Sequence, residues 1–298
     1  MTTALTETAA LVVLLRSGTH PWSVYAELVA ERGSAIAVLE QAGEWDASGQ
    51  ASLLGQTHDM DGLIASAAAE IEGWRSRGMR LLSVLDPDYP ENLHGVHDRP
   101  PMVFVAGRLQ LRDARSIAVI GARAASRRGA AAAREIVAHL IDRGYTVVSG
   151  LAAGIDTAAH TEALARQGRT VAVIGTGLRH AYPRENASLQ RRIIETGAVI
   201  SQFWPDAPPR RESFPMRNAV MSGMALGTVV VEASERSGAR TQARLALAHG
   251  RPVFLLDSLL AQRWARDCAA RPGTHVIGCP AELTAAVERL TSAGALTA

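Results

Sequence analysis

A chain of 298 residues with 47% hydrophobic content can bury a full core, so it reads as an ordinary globular protein with one large domain and a smaller one. The 31 fixed side-chain cations are all arginine, and the net charge of +2 conceals an asymmetry: residues 1–100 hold 6 arginines against 14 acids (−8), the remainder 25 against 15 (+10). Two cysteines, Cys268 and Cys279, without a histidine cluster exclude a disulfide framework and a zinc site; they read as reduced packing residues, and no metal is expected.

The first elements are helical, because Glu7–Arg16, Val24–Glu31 and Asp61–Arg77 carry apolar residues at spacings of three and four. Gly18, Gly33, Gly43 and Gly55 punctuate them, which predicts a small helical domain over residues 1–85. The apolar stretch Ala9–Leu15 is too short to cross a bilayer and no basic leader precedes it, so no membrane association and a cytoplasmic location are expected. Residues 86–115 read as a proline-rich linker, Asp86-Pro87 through Pro100-Pro101, ending in an edge strand at Met102–Ala106.

From Ser116 short apolar runs alternate with longer helical ones. The predicted strands are Ile117–Ile120, Thr146–Ser149, Thr170–Ile174, Ala198–Ile200, Thr228–Val231 and Pro252–Leu255, with a last helix at Ala281–Leu290. Continuous apolar strands imply burial on both faces, hence a doubly wound α/β domain over 116–298 with a mainly parallel sheet. No winged helix is expected after it. Ligands of such sheets sit beyond the carboxyl ends of the strands, at helix N-termini.

The strand ends carry the chemistry. Gly121 allows a tight turn, and Arg123 two positions on can reach a phosphate. Neither a G-x-G-x-x-G nor a G-x-x-x-x-G-K-[ST] string is present, so no nucleotide cofactor is expected. Ser149–His160 places Gly150 and Gly154 before a helix opening on Asp156, an amide-lined concavity with a polar rim. Asp156 and His160, one turn apart, either bond each other and cap the helix or meet the ligand. The third strand runs into Gly175-Thr176-Gly177 and then Tyr182–Asn186, with Arg184 and Asn186 on the loop. Phe214, Arg217 and Asn218 open a further helix, and Glu232 precedes Ser237, Gly238, Arg240 and Thr241. Arg123, Arg184, Arg217 and Arg240 around glycine-rich turns would grip a phosphodiester backbone without reading bases. Phe203, Trp204 and Phe214 are the aromatics nearest that rim.

In this order the strings G-x-R, SGLAxGID-xxAH, GxGxxxxYPxxN, FPxRN and E-xxxSG-xxT resemble the DNA-processing protein A (DprA or Smf) family over about Asp86–Phe254. The resemblance implies an extended Rossmann-like fold, a homodimer, cooperative binding of single-stranded DNA, and delivery of a RecA-type recombinase to that DNA during uptake or repair. It implies that the first domain is the family's small SAM-like accessory domain, and that the DNA pocket comprises Arg123, Arg184 and Arg217 with Asn218. Three departures stand out: Ala219 where the family has a second arginine, Ser201-Gln202 where it has Ser-Glu, and Leu255-Leu256-Asp257-Ser258 after the last strand. Two alternatives stay open: a divergent regulator in a defence or toxin–antitoxin locus, and a Rossmann-like nucleotide sensor or phosphoribohydrolase. Of the hydrolase's P-G-G-x-G-T-x-x-E stretch the chain keeps Leu226-Gly227-Thr228 and Glu232. No Ser-His-Asp order, paired-carboxylate site or H-E-x-x-H motif can be assembled, so no catalytic residue is assigned and no enzyme is expected.

Overall fold

The computed structural model describes residues 2–46 and 59–293, which divide into two compact units. The first comprises the chain up to Tyr89 together with Asp98–Val105, and the second Pro90–His97 and the chain from Ala106 on.

The first unit holds helices α1 (Thr3–Ser17), α2 (Trp22–Arg32), α3 (Ala35–Asp46) and α4 (Met60–Arg75), then strand β1 (Met79–Ser83) and the start of its neighbour β2 (Met102–Gly107). Ala9–Leu15 is buried on every side of α1, which packs on α3 and α4 and forms the centre of this unit. Among the described residues no helix is long and apolar enough to cross a membrane. Gly18 and Gly33 stop α1 and α2 in the left-handed conformation, as expected of helix-ending glycines. Gly43 does not break the chain but lies within α3, an unexpected helix; Gly55 lies outside the described residues. The cap of α3 comes partly from a distant residue, since the Glu7 carboxylate accepts from Ala35 N–H at 2.6 Å while Ser34 Oγ accepts from Ala37 N–H at 3.1 Å.

The expected linker is not structureless. It contains the short helix α5 (Glu91–His94), and Asn92 Nδ2 donates to Ala114 O and Met224 O at 2.7 and 2.8 Å, which ties Pro90–His97 into the second unit. Past the end of β2, Arg108 N–H donates to Gly197 O at 2.9 Å within the second unit.

In the second unit β3 (Ser116–Ile120), α6 (Arg127–Asp142), β4 (Thr146–Ser149), α7 (Ile155–Ala165), β5 (Thr170–Val173), α8 (Ala187–Thr196) and β6 (Ala198–Ser201) are followed by α9 (Ser213–Met224), β7 (Gly227–Val230), α10 (Gly238–Ala248), β8 (Val253–Leu256), α11 (Arg263–Ala269), β9 (Thr274–Ile277) and α12 (Pro280–Ser292). The strands lie in the order β6-β5-β4-β3-β7-β8-β9, all parallel, with Ile117 beside Val147 on one side and Gly227 on the other. Every residue of β3 to β8 is buried. Helices α6, α7 and α8 form one packed set and α9 with α10 another, and both sets reach β3 and β5, so the sheet is covered on two faces. This is the doubly wound, mainly parallel α/β architecture expected. Strand β9 and helix α11 were not foreseen. Cys268 is buried as expected, whereas Cys279, ahead of α12, is exposed.

Candidate nucleic-acid interface

The chain leaves β3 outward through β4, β5 and β6, and returns at β7 to run the other way through β8 and β9. Where the direction reverses, the loops above β3 and β7 cannot cover each other, and a crevice opens at the carboxyl ends of the strands. It is a groove of about 680 Å³ walled by Arg123, Phe214, Asn218, Glu232, Arg236 and Ser237. Helix α10 starts on this wall, with Ser237 Oγ accepting from Ala239 N–H at 3.2 Å and Gly238 and Thr241 lining the groove. Glu232, which also lines the groove, accepts from Ser126 N–H at 3.1 Å and Ser126 Oγ at 3.0 Å at the start of α6. There a carboxylate complements the positive end of the helix.

Arg217, expected among the phosphate-gripping arginines, does line the groove, but its guanidinium is already engaged by the protein. It is only 5% exposed. Its Nη1 donates to Val173 O at 2.8 Å and to Gly150 O, and its Nε to Asn218 Oδ1 at 3.0 Å. Its charge also opposes the rise that burial imposes on the Asp156 carboxyl. Arg217 therefore knits the ends of β4 and β5 together where they border the groove. Asn218 serves as its acceptor and so positions that side chain, and Asn186 is likewise buried, donating to Leu151 O and Thr157 Oγ1 at 2.9 Å each and so holding the β4–α7 loop.

Three of the four glycines expected at the site, Gly121, Gly150 and Gly154, are needed first by the chain itself. A Cβ at Gly150 would occupy the space of the Arg217 guanidinium, and one at Gly121 would lie 2.5 Å from Ile155 Cγ1. At Gly154 the backbone is left-handed, φ 80°, and a Cβ would strike the Ala122 carbonyl. Gly121 nevertheless lines the groove.

Asp156 and His160 do not bond each other. Asp156 Oδ2 accepts from Gly150 N–H at 3.1 Å and Ala152 N–H at 3.3 Å, holding the β4–α7 loop closed, while His160 Nδ1 lies 2.8 Å from Thr170 Oγ1. Because Thr170 Oγ1 donates to Val147 O, it accepts from Nδ1–H, which fixes the ring's tautomer. Burial holds this imidazole neutral, its pKa pushed down from 6.5 to about 3. The unfolded chain takes up a proton at 6.5 and the folded chain does not, so stability falls as pH drops from 6.5 towards about 3. The slope from this one residue is about 1 kcal/mol per pH unit. Urea unfolding across that window should show the decline, and His160→Gln should flatten it; an unchanged slope in the variant contradicts the assignment.

The exposed part of the site is an aromatic and arginine stack. Phe214 is half-buried at the start of α9, over the end of β5, where a Cβ on Gly175 would come within 2.9 Å of its ring. The Arg123 guanidinium lies 5.1 Å from the ring centroid, and the Tyr182 ring stands 5.5 Å from it at 43°. Tyr182 is 42% exposed, and Arg184, two residues on, is exposed as well. The turns after β3 and β5 thus meet at Phe214, which joins Arg123 to the loop carrying Arg184. Arg240 is turned away from the groove, donating to Glu235 O with its Nη1 3.8 Å from the Glu235 carboxylate. Exposed Arg236 takes that place on the wall. Phe203 and Trp204 do not line the groove. Sequence reasoning missed the stacking role of Tyr182, the presence of Arg236, and Gln242, a buried groove residue whose carboxamide has no hydrogen-bond partner among the described residues. The signal for Arg236 was its place between Glu232 and the Ser237 cap of α10.

Comparison with known proteins matches residues 80–290 to the family described as DNA recombination-mediator protein A. The DNA processing protein DprA of Streptococcus pneumoniae is 39% identical over 186 residues, 62% of this chain and 66% of that one. Protein Smf of Escherichia coli is 43% identical over 169 residues, 56% of this chain and 45% of that one. The matched segment thus spans from under half to about two thirds of the curated relatives' own length. Among solved structures, that of DNA processing protein A from Streptococcus pneumoniae superposes with a TM-score of 0.71 at 28% identity, covering 96% of this chain and 98% of that one. DNA processing protein A from Helicobacter pylori, whose structure is described in terms of its single-stranded DNA binding mode, superposes at 0.63 with 23% identity over 72% of this chain and 96% of that one. The Rossmann-like fold is therefore shared, and with a family match across most of its length this chain belongs to the DNA recombination-mediator protein A (DprA/Smf) family.

Proposed function

We propose that the second unit binds single-stranded DNA in the switch-point groove and serves as a non-catalytic recombination mediator. The observation that carries this reading is the Tyr182–Phe214–Arg123 stack on an arginine-lined crevice. Phosphates would lie against Arg123, Arg184 and Arg236, and a splayed base against the exposed Tyr182 face, an arrangement suited to a flexible strand and blind to sequence. Delivery of the strand to a RecA-type recombinase, and action as a homodimer, complete the proposal and rest on family membership. The hydrolase alternative needs a free glutamate at Glu232, but this carboxylate is engaged by Ser126 at the N-terminus of α6, which supports the absence of turnover. One titration tests the binding claim, with oligo-dT, duplex of equal length and mononucleotides offered to the full chain. Oligo-dT is expected to bind tightest, with affinity falling steeply in salt as arginines displace condensed counterions. Equal affinity for duplex, binding indifferent to salt, or release of ribose phosphate from a nucleotide overturns the reading.

A further inference from the structure

A second basic groove of about 420 Å³ adjoins the first. Arg236, Ser237 and Thr241 line both. It runs between α10 and α11, and its cationic edge is built by the helical repeat: Arg240 and Arg244 are four residues apart on α10, so they share one face, with Arg271 also on the groove wall. Two acids line it, and each already faces a cation. The Glu235 carboxylate accepts from Trp264 N–H at 3.2 Å at the start of α11 and lies 3.8 Å from Arg240, while Asp267 lies 3.9 Å from Arg263. Arg236, Arg244 and Arg271 are exposed and have no acidic partner within 4 Å among the described residues. The groove is therefore left with guanidinium groups that await an anion, and it shares Arg236, Ser237 and Thr241 with the switch-point crevice.

We infer that the single strand bound in the switch-point groove continues into this second groove, its phosphates passing from Arg236 onto Arg244 and Arg271. This inference rests on the DNA reading above and extends its footprint across α10. Its arginine-lined wall and the residues it shares with the crevice favour a polyanionic strand over a compact anion.

The test uses the full chain and a series of oligo-dT strands, starting from the shortest that wild type binds. For the Arg244→Ala/Arg271→Ala double variant, affinity for the shortest strand is expected to match wild type. The extra affinity that wild type gains with longer strands should be lost, and the salt slope on long strands should fall by about two. Wild-type affinity and slope on long strands overturn the inference. If this comes with a changed oligomeric state in light scattering, the groove belongs to a second copy of the chain. Equal weakening on short and long strands also overturns it, because the arginines would then belong to the primary site. Failure of wild type to bind any strand overturns the DNA reading itself, a result distinct from the others.

Discussion

Replacing Arg217 with alanine is expected to lower stability by about 2–5 kcal/mol, because two buried carbonyls and Asn218 Oδ1 lose a charged donor and each buried group left unsatisfied costs about 1–3 kcal/mol. Asp156 would lose the charge that opposes its burial, and the Gly150 and Val173 carbonyls would lose a buried donor. Against a typical total of about 5–15 kcal/mol, this is a large share. The measurement is the urea midpoint at constant m-value. Arg217→Lys should fall short of wild type too, because one ammonium on a flexible stem cannot meet the two carbonyls and Asn218 Oδ1 at once. A wild-type midpoint accompanied by weak DNA binding would return Arg217 to the phosphate-binding role that its motif suggests.

Arg123→Ala is expected to leave the midpoint unchanged and weaken oligo-dT binding roughly tenfold to a hundredfold, since a charge-assisted hydrogen bond contributes about 1.5–3 kcal/mol. The two arginines differ in surroundings and not in chemistry. Arg123 is exposed, with its guanidinium over the Phe214 ring, whereas Arg217 is enclosed by backbone. Anisotropy titration beside urea unfolding separates the two cases; a lowered midpoint with unchanged affinity would make Arg123 a structural residue.

The sheet was legible because β3 to β8 are short runs of buried apolar residues, and burial on both faces is what such runs record. Strand β9 escaped because Thr274-His275-Val276-Ile277 buries only its last residue, so no apolar run marks it. Helix α3 escaped because part of its cap is Glu7, 28 residues away. The site was legible as a set of loops but not as side-chain directions. Arg217 shares a helical face with Val220, Met221 and Met224, all buried, a spacing that foretold an inward arginine once α9 was drawn. No local pattern announced that Arg240 would fold back on Glu235, or that Phe214 would bridge Arg123 and Tyr182, which belong to turns after two different strands.

The salt dependence of oligo-dT binding, measured for wild type and the Arg123→Ala/Arg184→Ala double variant, tests the DNA site most directly. Each arginine–phosphate pair removed should reduce the slope of log affinity against log salt by about one, so the double variant should drop by about two while unfolding at the wild-type urea midpoint. A double variant that binds with the affinity and slope of wild type contradicts the placement of the strand in this groove.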